Sequence, residues 1–329
     1  MQAKRSTTFF FIPPVRKPAG GVAVIYRMAA FLHEAGHEVR LALREKAVWR
    51  PDAPDLPEVD AADSGVGPGD VWVVPEGWVN GLAPGLAAKA RCFSYVQNWA
   101  YLFTGLPPGV DWRSLPVELL AVSRPVAWFM REALGVDAPI LRPGIDLELF
   151  RTPEAKPGKL TVAWMPRKNK ALAEQVRAVV QARGHTDPEW LEIGGMDQAG
   201  VAAALGRSHV FLASGFPEGC PLPPLEAMAC GAIPVGFAGL GGWDYMRQAG
   251  EGGCPPPCPV DDVPWGGNGF FAYDNDVMGA ALGLERALNL WRAGGPELAA
   301  VLGNCARTAR AYGLGPQRQA VLDFWDGLR

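Results

Sequence analysis

The sequence predicts an α/β fold with two doubly wound parallel sheets, on three observations. Short apolar runs alternate with helical patterns along the first half of the chain, a polar Pro-rich stretch interrupts them, and the same alternation then restarts. This alternation argues for parallel sheets covered by helices. A length of 329 residues suits two domains of roughly 100 to 200 residues, each able to bury its own core.

The first set of elements begins with TTFFFIPPV at residues 7–15, too short for a membrane span and read as a buried strand. A helix from about Val22 to Glu34 follows, then EVRLAL, DVWVVPEG, RCFSYVQNW and ELLAVS, a helix from about Pro125 to Leu134, and APILRPGI. The second set runs KLTVAWMP, a helix from about Lys170 to Arg183, WLEIGG, a helix ending near Gly206, HVFLASG, a helix carrying Glu226, and AIPVGF. DLELFRTPEAKPGK at 146–159 reads as an interdomain linker, and Asp276–Arg329 as mostly helical. The expected domains are 1–151 and 152–311, with a C-terminal helix from about 312–329 able to pack back on the first. Sheets of this kind bind ligands at the carboxyl ends of their strands, so a cleft between the domains is expected.

Composition excludes several classes. With 31 basic and 34 acidic residues the net charge is −3, and no basic tract offers affinity for a phosphate backbone, which argues against nucleic acid. No stretch reads as a transmembrane segment or a cleavable leader, and six scattered cysteines do not describe a disulfide framework, so a reducing, cytoplasmic setting is expected. Cys254 and Cys258 in GGCPPPCPV have no histidine at metal-ligand spacing and read as part of a Pro-rich loop; no metal site is expected.

Chemistry concentrates in FPEGCPLPPLEAMACGAIPVGF at 216–237. Pro223 and Pro224 sit where missing N–H groups cost little, LEAMA is strongly helix-forming, and Gly231 suits a C-terminal cap. That places Glu226 in the first turn of a helix and Glu218 in the loop before it. By themselves, acidic residues here also simply stabilise a helix start.

These motifs resemble those of the GT-B glycosyltransferases, and within them family 4, over nearly the whole chain. PAGGVAVIYRMAAFLHEAGHEVRLAL resembles the family's N-terminal Gly loop and helix, PILRPGIDLELF its hinge, and SGFPEGCPLPPLEAMACGAIPV its donor-site signature. FAGLGGWDYM and MPRKNK are similar to a subgroup of bacterial rhamnosyltransferase-like proteins. The resemblance implies two Rossmann-like domains facing across a cleft and transfer of a sugar from a nucleoside diphosphate donor to an acceptor hydroxyl, with retention, in bacterial polysaccharide synthesis. It implies no cofactor and no required metal, a nucleotide-sugar donor, and a carbohydrate or lipid-linked acceptor that leaves room for peripheral membrane contact.

The residue roles it implies are specific. Glu218 approaches the donor sugar, while Glu226 accepts from the ribose hydroxyls, a geometry two carboxylate oxygens suit. Gly219, Cys220, Pro221 and Leu222 bring backbone and a helix N-terminus to the pyrophosphate. Arg167 supplies charge to the leaving diphosphate and is expected to be catalytic with Glu218; either Lys168 or Lys170 assists it. Gly20 and Gly21, Gly194 and Asn98 complete the donor-binding set. Where many members carry a histidine, this chain has Gln97, Asn98 and Trp99, and an amide cannot act as a general base. Glu76 reads either as an acceptor-side carboxylate or as a surface or capping residue, Asp244 as bordering the donor site, and His37 as structural. Two rivals share the architecture: a sugar-nucleotide epimerase and a noncatalytic sugar-nucleotide-binding module.

Overall fold

The structure is a computed structural model, and it describes residues 6–16, 19–46, 49–51, 54–251 and 253–328. The chain divides into two compact units, the first formed by Met1–Arg142 with Gln317–Arg329, the second by Pro143–Pro316.

The first unit holds a parallel sheet of β1 (Thr7–Ile12), β2 (Glu38–Leu43), β3 (Glu58–Asp60), β4 (Val71–Pro75), β5 (Arg91–Val96) and β6 (Val117–Ala121). The strand order β3-β2-β1-β4-β5-β6 reverses direction between β1 and β4. That reversal opens a crevice at the strand ends. Helices α1 (Gly20–Glu34), α2 (Ala83–Ala87) and α3 (Arg124–Leu134) connect or follow the strands. Ser123 caps α3 through its hydroxyl, which accepts the Val126 N–H, and Gly135 closes the helix at φ +69°.

The second unit repeats the plan with β7 (Thr161–Trp164), β8 (Glu189–Glu192), β9 (Val210–Ala213), β10 (Ile233–Phe237) and β11 (Phe270–Ala272), all parallel, in the order β11-β10-β9-β7-β8. Its helices are α4 (Lys170–Ala182), α5 (Gln198–Arg207), α6 (Leu222–Ala229), α7 (Val277–Ala293) and α8 (Gly295–Ala311). Every residue of β7, β9 and β10 is buried, the pattern their unbroken apolar runs require.

The last helix, α9 (Leu314–Asp326), carries residues from Gln317 onward into the first unit. Trp325 lies 5.8 Å from the Phe10 ring and donates its indole N–H to the Thr8 hydroxyl at 3.1 Å, while Phe324 meets Phe93 edge-on at 5.6 Å.

Several expectations need correction. Strands β3 and β11 are three-residue edge strands, too short to show a period. APILRPGI forms no strand, only isolated bridges of Ile140 with Ala121 and of Ile145 with Gly313, because Pro139 and Pro143 remove the N–H groups a longer ladder needs. Glu226 sits in the second turn of its helix, since α6 begins at Leu222 ahead of the prolines.

The stretch read as a linker packs on the second unit. Thr152 donates its hydroxyl to the Ala229 carbonyl at 3.0 Å. The Lys156 ammonium donates to the carbonyls of Gly206 (3.0 Å), Ser208 (2.5 Å) and Cys230 (2.9 Å), which close α5 and α6. One cation thereby satisfies carbonyls that helix ends leave without partners and opposes the negative ends of two helix dipoles. We expect Lys156→Met to lower the unfolding free energy by about 3 kcal/mol, because three carbonyls lose a charged donor at once; urea denaturation of both proteins measures it.

Candidate functional site

Because both sheets are parallel, the turns leaving β7, β9, β10 and β11 emerge at one edge of the second sheet. A cross-brace holds the first two together. Asn169 adopts the left-handed conformation (φ +54°), one that asparagine tolerates better than most residues. Its amide donates to the carbonyls of Ser214 (3.0 Å) and Phe216 (2.9 Å), while the Ser214 hydroxyl donates back to Met165 O at 3.3 Å.

The turn after β10 fixes Glu218. The Glu218 N–H donates to Gly239 O at 3.1 Å, and Glu218 O accepts the Gly241 N–H at 3.0 Å. A side chain at Gly241 would place its Cβ 2.0 Å from the Gly219 carbonyl oxygen, so only glycine allows this approach. Between the two contacts Leu240 stands at φ +64°, ψ −60°, and the Gly241 N–H also reaches Gly239 O at 2.9 Å, which makes a strained γ-turn. Asp274, in the turn after β11, accepts the Gly239 N–H at 2.9 Å, and burial raises its carboxyl above the ordinary range.

Within this frame Lys168 and Glu218 meet: the lysine Nζ lies 2.7 Å from Glu218 Oε1 and 3.1 Å from the Pro217 carbonyl. Their side chains are 26% and 25% exposed. They line a pocket of about 60 Å³ together with Arg167, Gly215, Pro221 and Phe237. Arg167 is exposed on the same turn as Lys168.

The remaining predicted donor-side residues are distributed as follows. Lys170 is exposed at the first residue of α4, 3.8 Å from Glu174 and 4.0 Å from Glu192, outside the pocket lining. Gly194 is exposed after β8, and a Cβ there would lie 3.7 Å from Pro166, next to Arg167 in sequence. Gly219 and Cys220 are buried, Pro221 lines the pocket and Leu222 opens α6. With prolines at 223 and 224, α6 offers only the Leu222 N–H from its first three residues, so the helix brings fewer donors than the usual N-terminus. Glu226 is half-buried in the second turn and outside the pocket lining. Asp244 is buried away from it, with its carboxylate accepting the Tyr312 hydroxyl at 2.6 Å.

In the first unit Gly20 and Gly21 are exposed at the start of α1; Pro18, from the same motif, lies outside the described residues. A Cβ on Gly21 would come within 2.9 Å of Gln97 Oε1, which sets α1 directly against the end of β5. Glu76 is 4% exposed, and its two carboxylate oxygens accept the N–H groups of Gln97 (3.0 Å) and Asn98 (2.9 Å). It is a buried clamp on the turn after β5, not a surface residue. Asn98 is buried as well, its side-chain oxygen accepting the Ala100 N–H at 3.1 Å. His37 lies 3.5 Å from Asp326 of α9, at the opposite, N-terminal end of β2.

Neither Asn169 nor the clamping role of Glu76 was read from sequence. The signal available for Asn169 was its place between a turn and a helix start, where asparagine often serves. Among the described residues no group of three or more His, Cys, Asp or Glu is arranged to hold a metal ion, and burial pushes the Cys258 thiol up to about 11. Among the same residues no helix is long and apolar enough to cross a membrane.

The chain matches no protein-family model and no curated protein sequence. Its fold is shared with solved glycosyltransferase structures. A glycosyltransferase from Rickettsia africae ESF-5 superposes with a TM-score of 0.70 at 12% identity, covering 99% of each chain. Anabaena HepE in complex with UDP and glucose gives 0.69 at 11% identity, over 98% of this chain and 100% of that one. The catalytic domain of starch synthase IV from Arabidopsis thaliana, bound to ADP and acarbose, gives 0.62 at 13%, over 98% and 99%. The fold is GT-B, with two Rossmann-like parallel sheets.

Burial makes Glu76 a source of pH-dependent stability, pushing its carboxyl from 4.5 up to about 7 against the lowering effect of the N–H groups it accepts. The unfolded chain releases this proton first, so the contribution is full below about pH 4.5 and is lost as pH rises through about 7. We expect the unfolding free energy of the protein, relative to Glu76→Gln, to fall by about 2 to 3 kcal/mol between pH 5 and pH 8. Urea titrations of both proteins across that range test this; an unchanged difference would contradict it.

Proposed function

We propose that this protein is a glycosyltransferase that moves a sugar from a nucleoside diphosphate donor to an acceptor hydroxyl. The observation that carries the reading is the meeting of Arg167, Lys168 and Glu218 at the carboxyl edge of the second sheet. Two cations suit a diphosphate, and a carboxylate beside them suits the hydroxyls and developing positive charge of a sugar. Solved structures of the same fold with UDP and glucose, and with ADP and acarbose, support the ligand class.

In this reading Arg167 and Lys168 stabilise negative charge on the leaving nucleotide, and they can do so without a metal. Lys168 takes the role for which Lys170 was the other candidate, since only Lys168 lines the pocket. Glu218 orients the sugar and Glu226 accepts from the ribose. The reaction retains anomeric configuration, as in family 4 with its rhamnosyltransferase-like members, and serves bacterial glycan synthesis on a carbohydrate or lipid-linked acceptor in the cytoplasm. Gly20, Gly21 and the turn held by Glu76 belong to the same functional surface of the first unit.

Calorimetric titration with UDP, GDP, ADP and dTDP tests the donor site. At least one should bind, and Arg167→Ala should weaken it by about 1 to 3 kcal/mol, the worth of a charge-assisted hydrogen bond. With a donor sugar and acceptor found by screening, Glu218→Gln should lower kcat by roughly 10²-fold, because its interaction strengthens in the transition state. Failure of all four nucleotides to bind would overturn the reading.

A further inference from the structure

Lys168 and Glu218 belong to different turns, yet the closest polar contact of the lysine is the carboxylate of the glutamate, at 2.7 Å. Both backbones are fixed independently of that contact. Lys168 lies between Arg167 and the Asn169 brace, and Glu218 is held between Gly239 and Gly241. Exchange of partners therefore requires only side-chain rotation. Gly215 keeps the space beside the pair open, since a Cβ there would stand 3.5 Å from Glu218 Oε1 and 3.9 Å from Lys168 Cδ. The pair is partly exposed, so neither charge would be stranded in an apolar interior during the exchange.

We propose that the Lys168–Glu218 pair is an internal competitor that the donor's diphosphate breaks. The ammonium passes from the carboxylate to the diphosphate, which carries more negative charge and more acceptor oxygens. Glu218 is then left with its charge uncompensated and turns to the sugar. This rests on the donor reading above and adds a coupling to it: the carboxylate acts at full strength only when the diphosphate is in place. By reciprocity, whatever weakens the pair strengthens nucleotide binding.

A double-mutant cycle tests the coupling, with UDP, GDP, ADP, dTDP and inorganic pyrophosphate titrated calorimetrically into the full chain and into Glu218→Gln, Lys168→Met and the double variant. Glu218→Gln should bind the best nucleotide about three- to fivefold more tightly, the worth of one partly exposed ion pair. Lys168→Met should bind it roughly tenfold more weakly, and in that background Glu218→Gln should change affinity less than twofold. Glu218→Asp keeps the charge but shortens the reach to Lys168; it should also bind more tightly, which covers the case of a Gln variant that fails to fold. Equal tightening with and without Lys168 would mean plain charge repulsion and overturn the proposal. Weaker binding by Glu218→Gln would mean that the carboxylate aims the lysine at the phosphate, and would overturn it too. Absence of any binding to the unaltered protein would remove the donor reading itself, a different result from binding without coupling.

Discussion

The candidate donor site depends on one side-chain amide. Asn169 donates to the carbonyls of Ser214 and Phe216, and those bonds set the distance between the turn that carries Arg167 and Lys168 and the turn that carries Glu218. The left-handed backbone at Asn169 aims the amide there and also begins α4. A turn at a strand end leaves backbone carbonyls without ladder partners, and a rigid donor that satisfies two of them removes their freedom along with their need for water.

The first unit solves the same problem with opposite chemistry. At the end of β5 the groups needing partners are N–H donors, and the carboxylate of Glu76 gathers two of them. In the second unit an amide collects oxygens; in the first a carboxylate collects hydrogens. The difference has an electrical consequence. Asn169 carries no charge and is indifferent to pH, whereas Glu76 places a titratable group under the turn formed by Gln97 and Asn98. The GT-B plan is thus kept while the groups that brace its strand ends differ from one sheet to the other.

The fold was largely legible in the sequence because buried parallel strands need unbroken apolar runs, and FFFI, VWVV, VFLA and IPVGF supply them. Strands β3 and β11 escaped because three residues at an edge leave no pattern. The acidic and basic residues of the pocket were also legible, through the motif around Glu218 and the basic turn after β7. Their pairing was not: Lys168 and Glu218 are brought together by strand order, which a linear reading does not contain. Glu76 was half legible; its position at a strand end was plain, but burial depends on what packs over it. The position of Glu226 was misjudged by one residue, enough to carry it from the first turn into the second, because the prolines were taken as the helix start, whereas Leu222 begins it.

Helix α9 gives the molecule an order of assembly. Its Phe324 and Trp325 pack on Phe93 and Phe10 of the first sheet, although the whole second unit lies between them in the chain. As a ribosome makes the protein at about 5 to 20 residues per second, the first sheet emerges early and then waits roughly 10 to 35 s for its last aromatic cover. The unit begun first is therefore completed last, and the second unit can close in the interval. A fragment ending at Arg142 would keep all six strands of that sheet yet present the bare rings of Phe10 and Phe93 to water, so the first unit is continuous in space but cannot be cut out as a continuous piece of chain.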